Sequence, residues 1–225
     1  MLDIGSGYGG SARFLAETFG YRITCLNISE RHNKRNRCLN REHGLASLLK
    51  IVNGSFEDIP FSDGSFDIVW SQDALLHSGD RPKVLEEVSR VLAENGEFIF
   101  TDPMQSDGCP PDALHPVLAR LHLPDLGCLA SYGETAARLG WEEIRIVDFS
   151  EHLVTHYTRV LDEVEKRYDE LLAASGWDYL EHAVQGLKHW IDAGRKGHLK
   201  WGILHFRKTE KTGRLRQQLP GPRGS

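Results

Sequence analysis

The tightest constraint on this chain stands at its start, where Leu2-Asp3-Ile4 runs directly into Gly5-Ser6-Gly7-Tyr8-Gly9-Gly10. Glycine weakens a helix or strand interior by about 0.5–1 kcal/mol relative to alanine, so this cluster reserves the segment for a turn. Behind the turn, Ala12, Leu15, Ala16 and Phe19 recur at i, i+3, i+4 and i+7, which gives one apolar helical face. Gly20 then supplies a stop signal. A strand, a glycine turn and a helix in that order let backbone N–H groups approach a ligand closely where side chains would collide.

The alternation continues along the chain. Tyr21–Leu26 reads as a second strand, Ser29–Glu42 as a polar helix, Leu48–Val52 and Phe66–Trp70 as strands three and four. Val84, Val88, Val91 and Leu92 mark the inner face of a helix ending near Asn95-Gly96, and Glu97–Asp102 is strand five. Further on, helices are expected at Pro110–His122, Ser131–Leu139, His152–Ala174 and Tyr179–Ala193, with strands at Trp141–Phe149 and Leu199–Phe206. Strands alternating with helices predict an α/β fold: a doubly wound sheet, mostly parallel, with helices on both faces. A last strand arriving after helices is expected to be antiparallel and at the sheet edge. One domain over residues 1–208 accounts for this pattern, and the polar, basic stretch 209–225 reads as a disordered tail.

Composition excludes several function classes. Among 225 residues, 27 Lys and Arg face 32 Asp and Glu, a net charge of −5. Duplex-binding proteins usually carry a basic excess, so nucleic acid is not the expected partner. No apolar run approaches the roughly 18 residues of a membrane span, and no signal peptide opens the chain. The four cysteines lie apart with no C-x-x-C pair, which fits reduced thiols in a soluble, cytoplasmic protein and gives no oligomeric state.

Gly5, Gly7 and Gly10 satisfy the dinucleotide spacing G-x-G-x-x-G, a pattern with many false positives. The neighbouring residues argue against a dinucleotide. Asp3 would repel a pyrophosphate, and Asn27 stands where an acidic residue would hold the ribose. A carboxylate near the loop suits a cationic ligand such as S-adenosylmethionine, with its ammonium and sulfonium.

Asp3-x-Gly5-x-Gly7-x-Gly9 resembles the first motif of the Rossmann-like, class I S-adenosylmethionine-dependent methyltransferases. The resemblance continues through Gly54–Phe61, where the family holds adenine, through Phe66–Ser71, its fourth strand, and through Arg90-Val91-Leu92. It implies S-adenosylmethionine as cofactor, held by Asp3, Gly5, Gly7, Gly9, Asn27, Ile28, Ser55 and Phe56. Gln72 would reach the methionine part. Asn33, one helical turn past Asn27, is either a further contact or a solvated helix residue.

Ser71-Gln72-Asp73-Ala74-Leu75-Leu76-His77 follows strand four at the carboxyl edge of the sheet, where ligands of doubly wound folds bind. Asp73 and His77 are four apart and would share a helical face. The segment resembles the catalytic stretch of phosphoethanolamine methyltransferases, which implies that Asp73 holds the attacking nitrogen and His77 supports proton removal.

Over nearly the whole length the chain is most similar to sarcosine/dimethylglycine N-methyltransferases, which make the osmoprotectant glycine betaine. The residues that carry this are Cys25-Leu26-Asn27-Ile28, Asn33-Lys34-Arg35-Asn36, Trp70-Ser71-Gln72-Asp73, Thr101-Asp102-Pro103-Met104, His189-Trp190-Ile191 and Trp201-Gly202. The implied partner is a small-molecule amine.

A methylated amine developing positive charge favours aromatic and soft side chains, so Met104, His156, Tyr157 and Trp201 are candidates for the acceptor pocket. The arginine that would hold the acceptor's carboxylate is not assigned. His152 and His156, at i and i+4, lack the further ligands a metal needs and read as a helix face.

Phosphoethanolamine, lipid acceptors and an inactive cofactor-binding remnant stay open as alternatives. Because Met1 already lies in the first strand, the family's cap helices are expected to be missing, leaving a wetter site with weaker catalysis.

Overall fold

β1 (Leu2–Ile4) is buried at every position, and its successor Gly5 turns the chain into α1 (Gly10–Phe19). The structure is a computed structural model and describes residues 1–121 and 123–209. β2 (Ile23–Asn27), α2 (Glu30–Glu42), β3 (Leu49–Asn53) and β4 (Phe66–Gln72) follow, each helix crossing between parallel strands. The Ser29 side chain caps α2 by accepting from the His32 N–H, and the Asp80 carboxylate caps α3 (Arg81–Val91) by accepting from the Lys83 N–H.

β5 (Leu92–Gln105) begins directly after α3. Leu92, expected on the inner face of the helix, opens the strand, and Asn95 at φ 62° turns within it. The remaining elements are α4 (His115–Leu121), α5 (Leu129–Arg138), β6 (Trp141–Asp148), α6 (Ser150–Lys166), α7 (Tyr168–Ser175), α8 (Trp177–Arg195) and β7 (Leu199–Lys208).

Two helices differ from expectation. The expected Pro110–His122 helix shortens to α4, because Pro110 and Pro111 restrict the backbone and Asp112 sits at φ 63°. Its last residue, His122, lies outside the described residues, as do residues 210–225 of the expected tail. The expected His152–Ala174 helix breaks at Arg167 into α6 and α7, and α7 buries no residue that would hold it in line.

The sheet order is β3-β2-β1-β4-β5-β7-β6. β1 to β5 pair in parallel, while β7 runs antiparallel to both β5 and β6. The C-terminal strand is therefore antiparallel as expected, but it is interior and β6 takes the edge. Residue character explains the choice: β7 buries Leu199, Leu204 and Phe206, whereas β6 exposes Glu142, Glu143 and Arg145. Charged side chains suit an edge that must not pair further.

The main core lies between the sheet and α3 and α5, with Phe98, Phe100, Tyr132 and Phe206 among its aromatic members. A second cluster under α6 and α8 joins Leu153, Trp190 and Leu199. Among the described residues, no helix is long and apolar enough to cross a membrane.

Candidate active site

The strand order reverses at β1: the chain passes outward to β2 and β3, then returns to β4 on the other side. Such a switch point leaves a crevice at the carboxyl ends of the strands. The glycine turn is fixed there by Gly5 N–H and Ser6 N–H, which both donate to the Leu26 carbonyl at 2.9 and 3.2 Å. A cavity of about 580 Å³ opens above it, lined by Gly5, Gly7, Asn27, Ile28, Ser55 and Phe56 among others. Ile28 is 72% exposed, an apolar face presented to the cavity.

Four residues read as ligand contacts from sequence stand elsewhere. Asp3 lies in the sheet between Cys25 and Trp70, below the turn rather than on the cavity wall. Gly9 is a packing position: a Cβ there would lie 2.2 Å from Asn36 Oδ1, and φ is +75°, so α1 can start against α2 only without a side chain. Asn33 is fully buried, neither solvated nor on the cavity wall, and its Nδ2 donates to the Asn27 carbonyl at 2.9 Å, fixing the end of β2. Met104 is 1% exposed and packs in the main core rather than on a cavity wall.

Burial pushes the Asp3 carboxyl up to about 8. A carboxyl with a raised folded-state pKa favours the fold while protonated, and this contribution is lost as pH rises from the unfolded value near 4 toward 8. Asp3→Asn removes that loss. Its melting temperature is expected to match the parent near pH 4 and to exceed it increasingly up to pH 8, read by thermal unfolding across pH. A constant difference across that range would show that Asp3 does not titrate this way.

The second cavity, about 570 Å³, lies on the far side of Asp73 and His77. These two residues line both spaces. They do not share an α-helical face: Asp73 is at φ 51°, and His77 ends a short 3-10 turn over Leu75–His77. The uncommon backbone at Asp73 is held from neighbouring strands. Its N–H donates to the Thr101 carbonyl at 2.9 Å, and its Oδ1 accepts from Thr101 Oγ1 and Trp201 Nε1, each at 2.8 Å. Among the described residues nothing donates to Oδ2, so one carboxylate oxygen stays available. Partial desolvation lowers the His77 pKa below the usual imidazole value, which favours the neutral ring.

His156, Tyr157 and Trp201 line this cavity as expected, together with Pro103, His152, Thr155, Arg159 and Trp190. Gln72 lines it as well, rather than the cavity above the glycine turn, and accepts from the Ser11 hydroxyl. Tyr157 and Trp190 rings stand 4.9 Å apart. Among the described residues no three His, Cys, Asp or Glu side chains converge to hold a metal ion.

Sequence reasoning passed over Asp102 as a working residue. It is fully buried, with burial pushing its carboxyl up to about 7. Tyr132 Oη donates to one oxygen at 2.7 Å and the Leu76 N–H to the other at 3.0 Å, so Asp102 anchors the turn that presents His77. The signal was a carboxylate inside an apolar strand, which needs partners to be buried. Glu57 was missed likewise: it accepts from Ser78 Oγ at 2.5 Å and from the Gly79 N–H at 3.0 Å, closing the far end of the same turn.

A glycine turn at the switch point of a doubly wound sheet, opening to a polar and aromatic second cavity, defines a methyltransferase of the Rossmann-like class, and the methyltransferase domain family matches residues 2–100. The chain is 50% identical over 208 residues to a sarcosine/dimethylglycine N-methyltransferase of Aphanothece halophytica, spanning 92% of this chain and 75% of that protein. It is equally similar, with the same coverage, to the enzyme of that name from Halorhodospira halochloris. A crystal structure of a putative sarcosine dimethylglycine methyltransferase from Galdieria sulphuraria superposes with a TM-score of 0.88 at 43% identity, covering 92% of this chain and 77% of that one. The chain belongs to the sarcosine/dimethylglycine N-methyltransferase family.

Proposed function

We propose that this methyltransferase uses S-adenosylmethionine to methylate the nitrogen of sarcosine and dimethylglycine, working toward glycine betaine. The observation that carries the reading is the shared wall: Asp73 and His77 border the glycine-loop cavity and the aromatic cavity at once, where a donor methyl and an acceptor nitrogen would meet.

The first cavity fits the adenosyl group. Asn27 offers a neutral amide to ribose hydroxyls, Ile28 and Phe56 offer apolar faces to a base, and Gly7 at φ +51° has no heavy atom within 4 Å of the place a Cβ would take. When bound, S-adenosylmethionine supplies an electrophilic methyl on a sulfonium.

The chain's own residues act on the acceptor. Asp73 Oδ2 holds the ammonium form and orients the nitrogen toward the first cavity. The amine must lose its proton before its lone pair can attack, and the neutral His77 ring accepts that proton. The freed lone pair would then form the C–N bond to the methyl supplied from the first cavity, with the C–S electron pair leaving on sulfur. With dimethylglycine the product nitrogen is quaternary, and the faces of Trp201 and Tyr157 favour that cation. A cytoplasmic setting belongs to the same proposal, supported by four free cysteines.

The test is label transfer from methyl-labelled S-adenosylmethionine to sarcosine, dimethylglycine and phosphoethanolamine offered separately. Label in the first two is the expected result. Label only in phosphoethanolamine would overturn the acceptor, and S-adenosylhomocysteine binding without any transfer would overturn the enzymatic reading.

A further inference from the structure

We infer that one face of α6 is the carboxylate-recognition element of the acceptor site, with the Arg159 guanidinium as its anchor. This rests on the reading that the acceptor is an N-methylated glycine, a zwitterion with an amine at one end and a carboxylate at the other. The wall of the second cavity already holds an anion for the amine end, Asp73. It needs a cation for the other end, and among the described residues Arg159 is the one Lys or Arg lining it.

His152, Thr155, His156 and Arg159 all line the cavity and stand at i, i+3, i+4 and i+7 of α6, so they form a single stripe. On the same helix Leu153 is 4% exposed and packs into the apolar cluster with Trp190. Apolar packing therefore fixes the rotation of α6, and that rotation delivers the polar stripe to the cavity.

Arg159 is exposed and, among the described residues, forms no ion pair. Arg167, one residue beyond α6, is by contrast spent on Glu170 at 2.7 Å. A planar guanidinium with free donors matches a carboxylate in bidentate fashion. The Thr155 hydroxyl, one turn away on the stripe, donates to the Glu151 carbonyl at 3.4 Å, a long bond that it would exchange for one to the carboxylate.

Binding made equally in the ground and transition states appears in KM rather than kcat. Arg159→Gln is therefore expected to raise the KM for dimethylglycine about 10- to 100-fold, the range for a lost charge-assisted bond, with kcat nearly unchanged. S-adenosylhomocysteine affinity and melting temperature should match the parent, and Arg159→Lys should fall between the two. A KM within twofold of the parent in Arg159→Gln, or a parallel loss of S-adenosylhomocysteine affinity, would overturn the assignment.

If the parent methylates neither amine, the functional reading falls and calorimetry decides the anchor. Dimethylglycine and acetate are titrated into the complex with S-adenosylhomocysteine. Weaker binding in Arg159→Gln than in the parent supports the carboxylate site, and equal binding, or none in either, overturns it.

Discussion

Asp73→Ala is expected to lower kcat for dimethylglycine about 100- to 10,000-fold, the usual span for a positioned group that manages a proton or its partner charge. The alanine also strands two donors, Thr101 Oγ1 and Trp201 Nε1, that now share Asp73 Oδ1 at 2.8 Å each. Leaving such groups unpaired costs about 1–3 kcal/mol each where they are shut off from water, so some loss of stability should accompany the loss of rate. Asp73→Asn separates the two effects. Its amide oxygen can keep both bonds and asparagine tolerates the left-handed backbone at φ 51°, so only the negative charge is removed. Melting temperature should recover in Asp73→Asn while kcat stays low. Full recovery of kcat in Asp73→Asn would show that the carboxylate's role is architectural.

Gly5→Ala has the second large effect, on cofactor binding. Gly5 sits at φ +73°, and a Cβ there would lie 2.4 Å from the Ala74 Cβ. A left-handed non-glycine residue costs about 1–2 kcal/mol, and forcing a methyl into a packed contact about 1–3 kcal/mol. The free loop relieves this strain by moving off the geometry that meets the ligand and must recover it on binding, so with each 1.4 kcal/mol about a factor of ten, S-adenosylhomocysteine affinity should fall by about 30-fold or more. Ala74 follows Asp73, so the clash also pushes on the turn that bears Asp73 and His77, and kcat should fall as well. Gly7→Ala is the contrast, because its Cβ would meet nothing within 4 Å and only the backbone penalty remains. Calorimetric titration of both variants should place Gly5→Ala well below Gly7→Ala. The reverse order would mean that the contact with Ala74 is not what holds the loop.

These two residues show which parts of the site are written locally. The glycine turn, the strand before it and the apolar stripe behind it are legible because their causes lie within one or two helical turns of sequence. The position of Asp73 and His77 is legible for a similar reason, since they flank a short segment directly after a strand that ends at the carboxyl edge of the sheet. The helix assumed between them was an error, since a 3-10 turn after a left-handed residue leaves the same i, i+4 spacing in sequence.

Three of the misplaced residues share one cause. Asp3, Met104 and Gln72 all sit in strands, and strand side chains alternate between opposite faces, so an adjacent position is the difference between cavity and core. Sequence spacing gives the alternation but not which face looks at the ligand. For Met104 and Pro103 that was decided by β7, whose Trp201 pairs with Pro103 and whose Lys200 pairs with Met104. The anchoring roles of Asn33 and Asp102 were not legible, because the bonds that bury them go to groups brought near only by the fold, the end of β2 for Asn33 and Tyr132 and Leu76 for Asp102.

By itself the sequence determined the class of sheet, the glycine turn after β1, the family and the segment bearing Asp73 and His77. It could do so because turns, caps and amphipathic stripes depend on neighbours a few residues away. Only the tertiary structure decided that β7 enters between β5 and β6, and with it that Trp201 crosses 128 residues of chain to bond Asp73. That strand insertion also sets where α6 and its Arg159 stripe lie. Such choices turn on which apolar faces can be buried together, and that is a property of the assembled layers rather than of any one segment.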